Sequence, residues 1–148
     1  MSQLNGVFSL RTARDLREKL EVDFSRLSHS DPSSIEAQYA AFDFFVCAEH
    51  IPDWLAKTAG GSKSCHRSYR DGALVSHIAN GAKHFQVKDT RHITVKDTTA
   101  IAGAFDAGAF DRSVFQIAKL VIELESGASE DVLEVAARVI AHWRNVLP

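Results

Sequence analysis

Two neighbouring segments, residues 43–54 and 70–85, constrain the fold most strongly, because both have helical periodicity and both carry histidines. The first segment is apolar on almost all sides, which is typical of a helix that is buried over most of its surface. Asp43 and His50 are exceptions on one face of it, seven residues apart. Because burying an unpaired charge is costly, we expect these two side chains to meet partners on another helix or to face a cleft.

The segment 70–85 separates an apolar stripe from a polar stripe. The apolar stripe has the spacing i, i+4, i+8, i+11, and the polar stripe has heptad spacing through Arg70, His77 and His84. Antiparallel packing of this segment against residues 43–54 would bring the two polar faces together. The sequence therefore predicts a polar cluster shared by two helices, with the following members: Asp43, His50, Asp53, Asn80, Lys83 and His84.

Helical spacing and end signals predict four helices, at about 12–28, 33–58, 68–87 and 129–146. Thr12 and Ser129 are the expected caps of the first and last helix. β-Branched residues predict a short strand at 92–95. Residues 114–124 fit both helical spacing and strand alternation, and we favour a strand that pairs with 92–95. The predicted fold class is mainly α (α+β), about a four-helix bundle with a small β-hairpin inserted before the C-terminal helix.

Length and composition limit the class of protein further. A chain of 148 residues fits one globular domain, residues 1–148, and 45% hydrophobic content argues against disorder. The net charge of -2 gives no general basic surface for nucleic acid, although a local basic patch stays open. The sequence lacks a secretory signal pattern and an apolar stretch of about 20 residues, so we expect a cytoplasmic protein that does not enter the membrane.

Residues 102–111 are a tandem repeat of Ala-Gly-Ala-Phe-Asp. Two copies do not make a solenoid, which needs at least three units. We interpret the repeat as a well-packed loop or hairpin tip, with its phenylalanines as anchors.

Arg70 and His77 are the candidate catalytic residues. A guanidinium can stabilise phosphate charge, and an imidazole can act in acid–base transfer. An Arg followed by a polar residue and, a few residues later, by a His resembles the motif of HEPN domains (higher eukaryote and prokaryote nucleotide-binding). That resemblance covers the second and third predicted helices. It implies a helical, metal-independent endoribonuclease that acts on RNA.

A metal site is the second candidate after the ribonuclease. Asp43, His50, His77 and His84 are one carboxylate and three imidazoles, donors that suit zinc or iron in a helical bundle. Asp43 and His50 lie two helical turns apart, and so do His77 and His84. The rise of about 10.5 Å is too long for both members of a pair to bind one ion directly. No standard ligand motif is present, so we assign no metal ligands and no cofactor.

Residues 43–54, 80–85 and 123–127 resemble a group of small bacterial proteins with no assigned function, a resemblance that implies no activity. From the residues alone, we interpret most of these polar side chains as a hydrogen-bonded network between packed helices. We therefore expect a small helical protein that acts by binding, to itself as a homo-oligomer or to a protein partner. RNA cleavage by Arg70 and His77 is the alternative, and metal binding is the second alternative.

Overall fold

The computed structural model of the chain describes residues 4–84, 95–101 and 119–148. Within them it is mainly helical with a small antiparallel sheet, which confirms the predicted fold class. The helices are α1 (Ala13–His29), α2 (Ile35–Thr58), α3 (Lys63–His66), α4 (Gly72–His84) and α5 (Val132–Val146). The strands are β1 (Val95–Ile101), β2 (Lys119–Leu124) and β3 (Ser129–Asp131).

The first two helices begin within about two residues of the predicted starts at 12 and 33. The Thr12 hydroxyl accepts a hydrogen bond from the backbone N–H of Asp15 at 3.1 Å, and the Asp15 carboxylate accepts one from the Thr12 N–H at 2.8 Å. This is a complete capping box. Ser34 caps α2 in the simpler way, by accepting from the N–H of Ala37 at 3.2 Å.

The third predicted helix begins later than expected, at Gly72 instead of residue 68. A short helix that the sequence did not predict, α3, precedes it, and Ser62 caps this helix. The chain then turns tightly. A Cβ at Gly72 would overlap the carbonyl oxygen of Arg67, so this close approach requires a glycine.

The three strands form one antiparallel sheet in the order β1-β2-β3. Thr98 lies opposite Ile122, and Val121 lies opposite Asp131. Gly127, with a φ of +86°, makes the tight turn between β2 and β3. The strand interpretation is correct for residues 119–124. Residues 92–94, 114–118 and the repeat 102–111 lie outside the described residues.

The start of the last helix corrects one prediction. Ser129 does not cap α5, because residues 129–131 form β3 and Ser129 pairs with Glu123 of β2. The cap is Asp131, whose carboxylate accepts hydrogen bonds from the backbone N–H groups of Leu133 and Glu134 at 2.8 and 3.2 Å. The predicted hairpin is therefore extended by a third, three-residue strand.

Helix α2 lies at the centre of the hydrophobic core and packs against α1, α4 and α5. Pro52 lies inside α2, which continues to Thr58. The largest fully buried side chains come from the helices and from β2, and they include Leu20, Phe44, Ile51, Ile122, Val139 and Trp143. In the described part of the chain, no helix has the length and apolarity needed to span a membrane. The cytoplasmic location stays a prediction.

Candidate functional site

The outward face of α2 carries a row of apolar side chains over its first three turns, flanked by the exposed Glu36 and Gln38. Ile35, Tyr39 and Phe42 are 49%, 60% and 51% exposed, and they follow one another at the spacing i, i+4, i+7. The half-buried Val46 continues the row. We call these four residues the α2 stripe. Large apolar side chains that lie contiguously on a surface mark interaction sites more often than scattered ones do.

A groove adjoins the α2 stripe. It has a volume of about 540 Å³ and lies between α2, α4 and β1. Tyr39 and Phe42 form its rim, and the small residues Gly81 and Ala82 of α4 form the opposite wall. Thr98 and its neighbours on β1 contribute polar groups. A mostly apolar concavity with a few polar groups is the kind of surface that receives side chains of a partner.

His77 lies at the inner end of this groove and is buried. Its ring nitrogen Nδ1 accepts a hydrogen bond from the backbone N–H of Val95 at 3.0 Å. A nitrogen that accepts from an N–H carries no proton, so the neutral ring has its proton on Nε2. The contact ties the middle of α4 to the first residue of β1.

Arg70 does not share this environment. It is exposed in the turn before α4, and the described residues that line the groove do not include it. His77 lies five residues inside α4, a rise of about 7.5 Å from the first residue of the helix. The two candidate catalytic residues therefore lie in different surroundings, one in solvent and one in the protein interior.

Three members of the predicted polar cluster are electrostatic neighbours. Partial burial lowers the pKa of His50 first, and the positive charges of Lys63 and Lys83 lower it further, while Asp53 opposes them. Asp53 pairs with Lys57 at 3.5 Å and with Lys63 at 4.0 Å. Beyond Val46, the outward face of α2 is therefore polar.

The other members of the predicted cluster lie elsewhere. The Asp43 carboxylate accepts a hydrogen bond from Arg26 of α1 at 2.8 Å, on the opposite flank of α2 from α4. The Asn80 amide donates to the carbonyl oxygen of Ser76 at 3.3 Å, within its own helix. His84 is exposed in the last turn of α4. The structure therefore divides the six residues among separate surroundings.

The residues suited to bind a metal are likewise dispersed. Among the described ranges 4–84, 95–101 and 119–148, no three His, Cys, Asp or Glu side chains lie close enough together to hold an ion. Burial raises the pKa of Cys47 to about 12, and its thiol donates to the carbonyl oxygen of Leu16 at 3.4 Å. Cys47 is therefore a protonated core residue, and only Cys65 of the two cysteines is exposed.

Two mostly buried ion pairs join segments that are distant in the sequence, and sequence patterns did not indicate either one. Glu49 of α2 pairs with Arg67 and accepts a hydrogen bond from the Ser76 hydroxyl at 3.3 Å, which fixes α4 against α2. Asp71 accepts hydrogen bonds from Nε and Nη2 of Arg138 of α5, the shortest at 2.8 Å. Both pairs join residues far apart in the chain, so no local spacing reveals them.

The α2 stripe was also missed at the sequence level. The signal was present: α2 carries more apolar residues than its inner faces can bury, since Ala41, Phe44 and Phe45 already fill the core side.

Comparisons with protein-family models, curated proteins and solved structures give no match for this chain. We therefore infer the function from the geometry of the α2 stripe and the adjoining groove.

Proposed function

We propose that this protein acts by binding an apolar protein surface through the α2 stripe and the adjoining groove. The observation that carries the proposal is the row of three large, half-exposed apolar side chains beside a groove of about 540 Å³. Aromatic side chains give the largest contribution when they are buried at an interface. Tyr39 also has a hydroxyl that can find a polar partner at the rim.

The rigidity of the surface supports a binding role. Tyr39 and Phe42 project from a helix of 24 residues, and the hydrogen bond from Ser76 of α4 to Glu49 of α2 holds the neighbouring helix in place. A surface that is held in one conformation loses little conformational entropy when a partner binds. Binding sites on helices are positioned more accurately than sites on loops.

Photocrosslinking in cells that make the protein tests this proposal. A benzophenone amino acid replaces Phe42 in one variant and Val22 in a control variant, since Val22 is 59% exposed on α1. We expect a discrete covalent adduct from position 42, absent from position 22, that disappears when Tyr39→Asp is added. Equal adducts from both positions, or none from position 42, would contradict the proposal.

Metal-independent RNA cleavage is the alternative function, and one observation favours it: His77 lines the groove. Arg70→Ala is the better test variant, because Arg70 is exposed, whereas replacing His77 also removes the hydrogen bond to Val95. The native protein and this variant are incubated with mixed RNA in a chelator. Cleavage by the native protein alone supports the alternative, and intact RNA with both proteins dismisses it.

A further inference from the structure

We infer that the partner seated on the α2 stripe is a second copy of this chain, packed as an antiparallel α2 pair about a two-fold axis. The inference rests on the proposed function, that this face is a binding surface. It adds the identity of the occupant and the geometry of the contact. Three observations on α2 lead to it, namely the spacing of the stripe, its borders and its charges. The area of the stripe then sets the expected strength of the dimer.

The spacing of the α2 stripe is the same when it is read in either direction. From Ile35 to Val46 the steps are four, three and four residues. A two-fold axis placed between Tyr39 and Phe42 therefore brings Tyr39 opposite the partner's Phe42 and Ile35 opposite the partner's Val46. Such a self-complementary patch is what an isologous dimer requires. Antiparallel helices with apolar rows at alternating steps of three and four pack in register.

The borders of the stripe match this arrangement. The apolar row ends at Val46, and the exposed His50 and the partly exposed Asp53 follow it on the same face. In the other direction α2 begins at Ile35, so the row ends with the helix. A contact centred between Tyr39 and Phe42 thus covers the apolar half of the face and leaves the polar half in solvent.

Charges at one edge of the stripe are also compatible with the two-fold pair. Glu36 and Asp43 lie on the same edge of α2, so the pairing brings Glu36 next to the partner's Asp43. The carboxylate of Asp43 is held by Arg26 at 2.8 Å, and Arg26 is half-exposed. The partner's Arg26 therefore lies beside both carboxylates, where its positive charge reduces the repulsion between them.

The area of the stripe sets the strength of the dimer. Three aromatic or aliphatic side chains that are about half exposed offer roughly 300 Å² per chain, and a stable dimer buries about 800 Å² per partner. Val46 and the rim of the groove add to the contact without reaching that value. We therefore expect a reversible dimer with a dissociation constant on the order of 10–100 µM.

Cysteine pairs at the two ends of the stripe test the geometry. Ile35→Cys and Val46→Cys are made separately in a Cys65→Ser background, because Cys65 is exposed and Cys47 is buried. In the antiparallel pair, position 35 lies about 16 Å along the helix from the partner's position 35, whereas a disulfide needs Cα atoms about 4.4–6.8 Å apart. Mild oxidation of an equal mixture should give at least about fivefold more covalent dimer than either variant alone.

Two further variants make this result decisive. Tyr39→Asp added to both cysteine variants should abolish the covalent dimer, while Val22→Asp on α1 should leave its yield unchanged. Covalent dimer from each single variant at the yield of the mixture, or none from the mixture at 200 µM protein, would overturn the inference. If the mixture gives none while the cellular crosslink from position 42 contains a different protein, the face still binds, but its occupant is not a second copy.

Discussion

The ring of His77 joins α4 to the sheet, with Nδ1 accepting the backbone N–H of Val95 at 3.0 Å. Since Val95 is the first residue of β1, this bond fixes the start of the strand against the middle of α4. The same contact forms the inner end of the groove beside the α2 stripe. His77, which its spacing from Arg70 makes a candidate acid–base residue, therefore has a structural role in the fold.

Replacing His77 with Ala should lower the free energy of unfolding by about 1–3 kcal/mol, because the Val95 N–H loses its acceptor in a partly buried setting. His77→Asn should recover part of that loss, since an amide oxygen can accept near the position of Nδ1. Urea unfolding measures both variants. His84→Ala, at an exposed position, is the control with an expected change within about 0.5 kcal/mol. Equal losses for His77→Ala and His84→Ala would contradict the structural role.

The buried carboxylate of Asp71 should be a strong contributor to stability. It accepts from Nε and Nη2 of Arg138, which also contacts Glu130 at 3.1 Å. Asp71→Asn should cost about 2–3 kcal/mol, because it removes a charged acceptor from a mostly buried pair. Glu18→Gln in the exposed pair with Arg14 should cost less than about 0.5 kcal/mol. A loss for Asp71→Asn as small as that of the control would show that the pair contributes little.

Stability should depend on acid pH through Glu21. Two hydrogen bonds of 2.7 Å from Arg144 lower the pKa of Glu21 below its ordinary value of 4.5. A lowered folded-state pKa gives stability that is fully present above the unfolded pKa and is lost as the pH falls through the folded one. The pair is partly exposed, so its contribution is about 1 kcal/mol or less. The difference in unfolding free energy between native and Glu21→Gln protein should therefore shrink as the pH falls from 6 to 3, and a constant difference would speak against this linkage.

The two cysteines should differ sharply in reactivity. Burial raises the pKa of Cys47 to about 12, so at pH 8 its thiol stays protonated as well as inaccessible. Cys65 is exposed. A thiol reagent such as dithiobisnitrobenzoate should label one thiol per native chain quickly and the second only in denaturant. Rapid labelling of two thiols in the native protein would be inconsistent with the burial of Cys47.

Elements defined by local signals were predictable from sequence. The capping box of Thr12 and Asp15 closes within four residues, and the apolar periodicity of α2 repeats over 24 residues. Elements of three or four residues were not predictable. β3 exists because β2 lies beside it, and α3 is followed by a turn that places Gly72 against Arg67. Such short elements depend on tertiary contacts more than on propensity.

The candidate site was less predictable than the fold. The exposure of Tyr39 and Phe42 depends on where α4 crosses α2, and the buried Glu49–Arg67 pair and the Ser76 hydroxyl hold that crossing. A helix that is apolar almost all round does not indicate which face its neighbours leave open. The sequence predicts a site of polar side chains in residues 43–54 and 70–85, whereas the binding surface that we propose is formed by apolar residues.

Self-association through the α2 stripe is tested most directly by amide NMR spectra of the ¹⁵N-labelled protein recorded over a dilution series from 500 to 10 µM. We expect concentration-dependent shifts or broadening in residues 35–46 and at Gly81 and Ala82, with none around Val22 on α1. Tyr39→Asp should remove these changes. Spectra that stay constant over the whole series, or changes as large around Val22 as in residues 35–46, would contradict self-association through the α2 stripe.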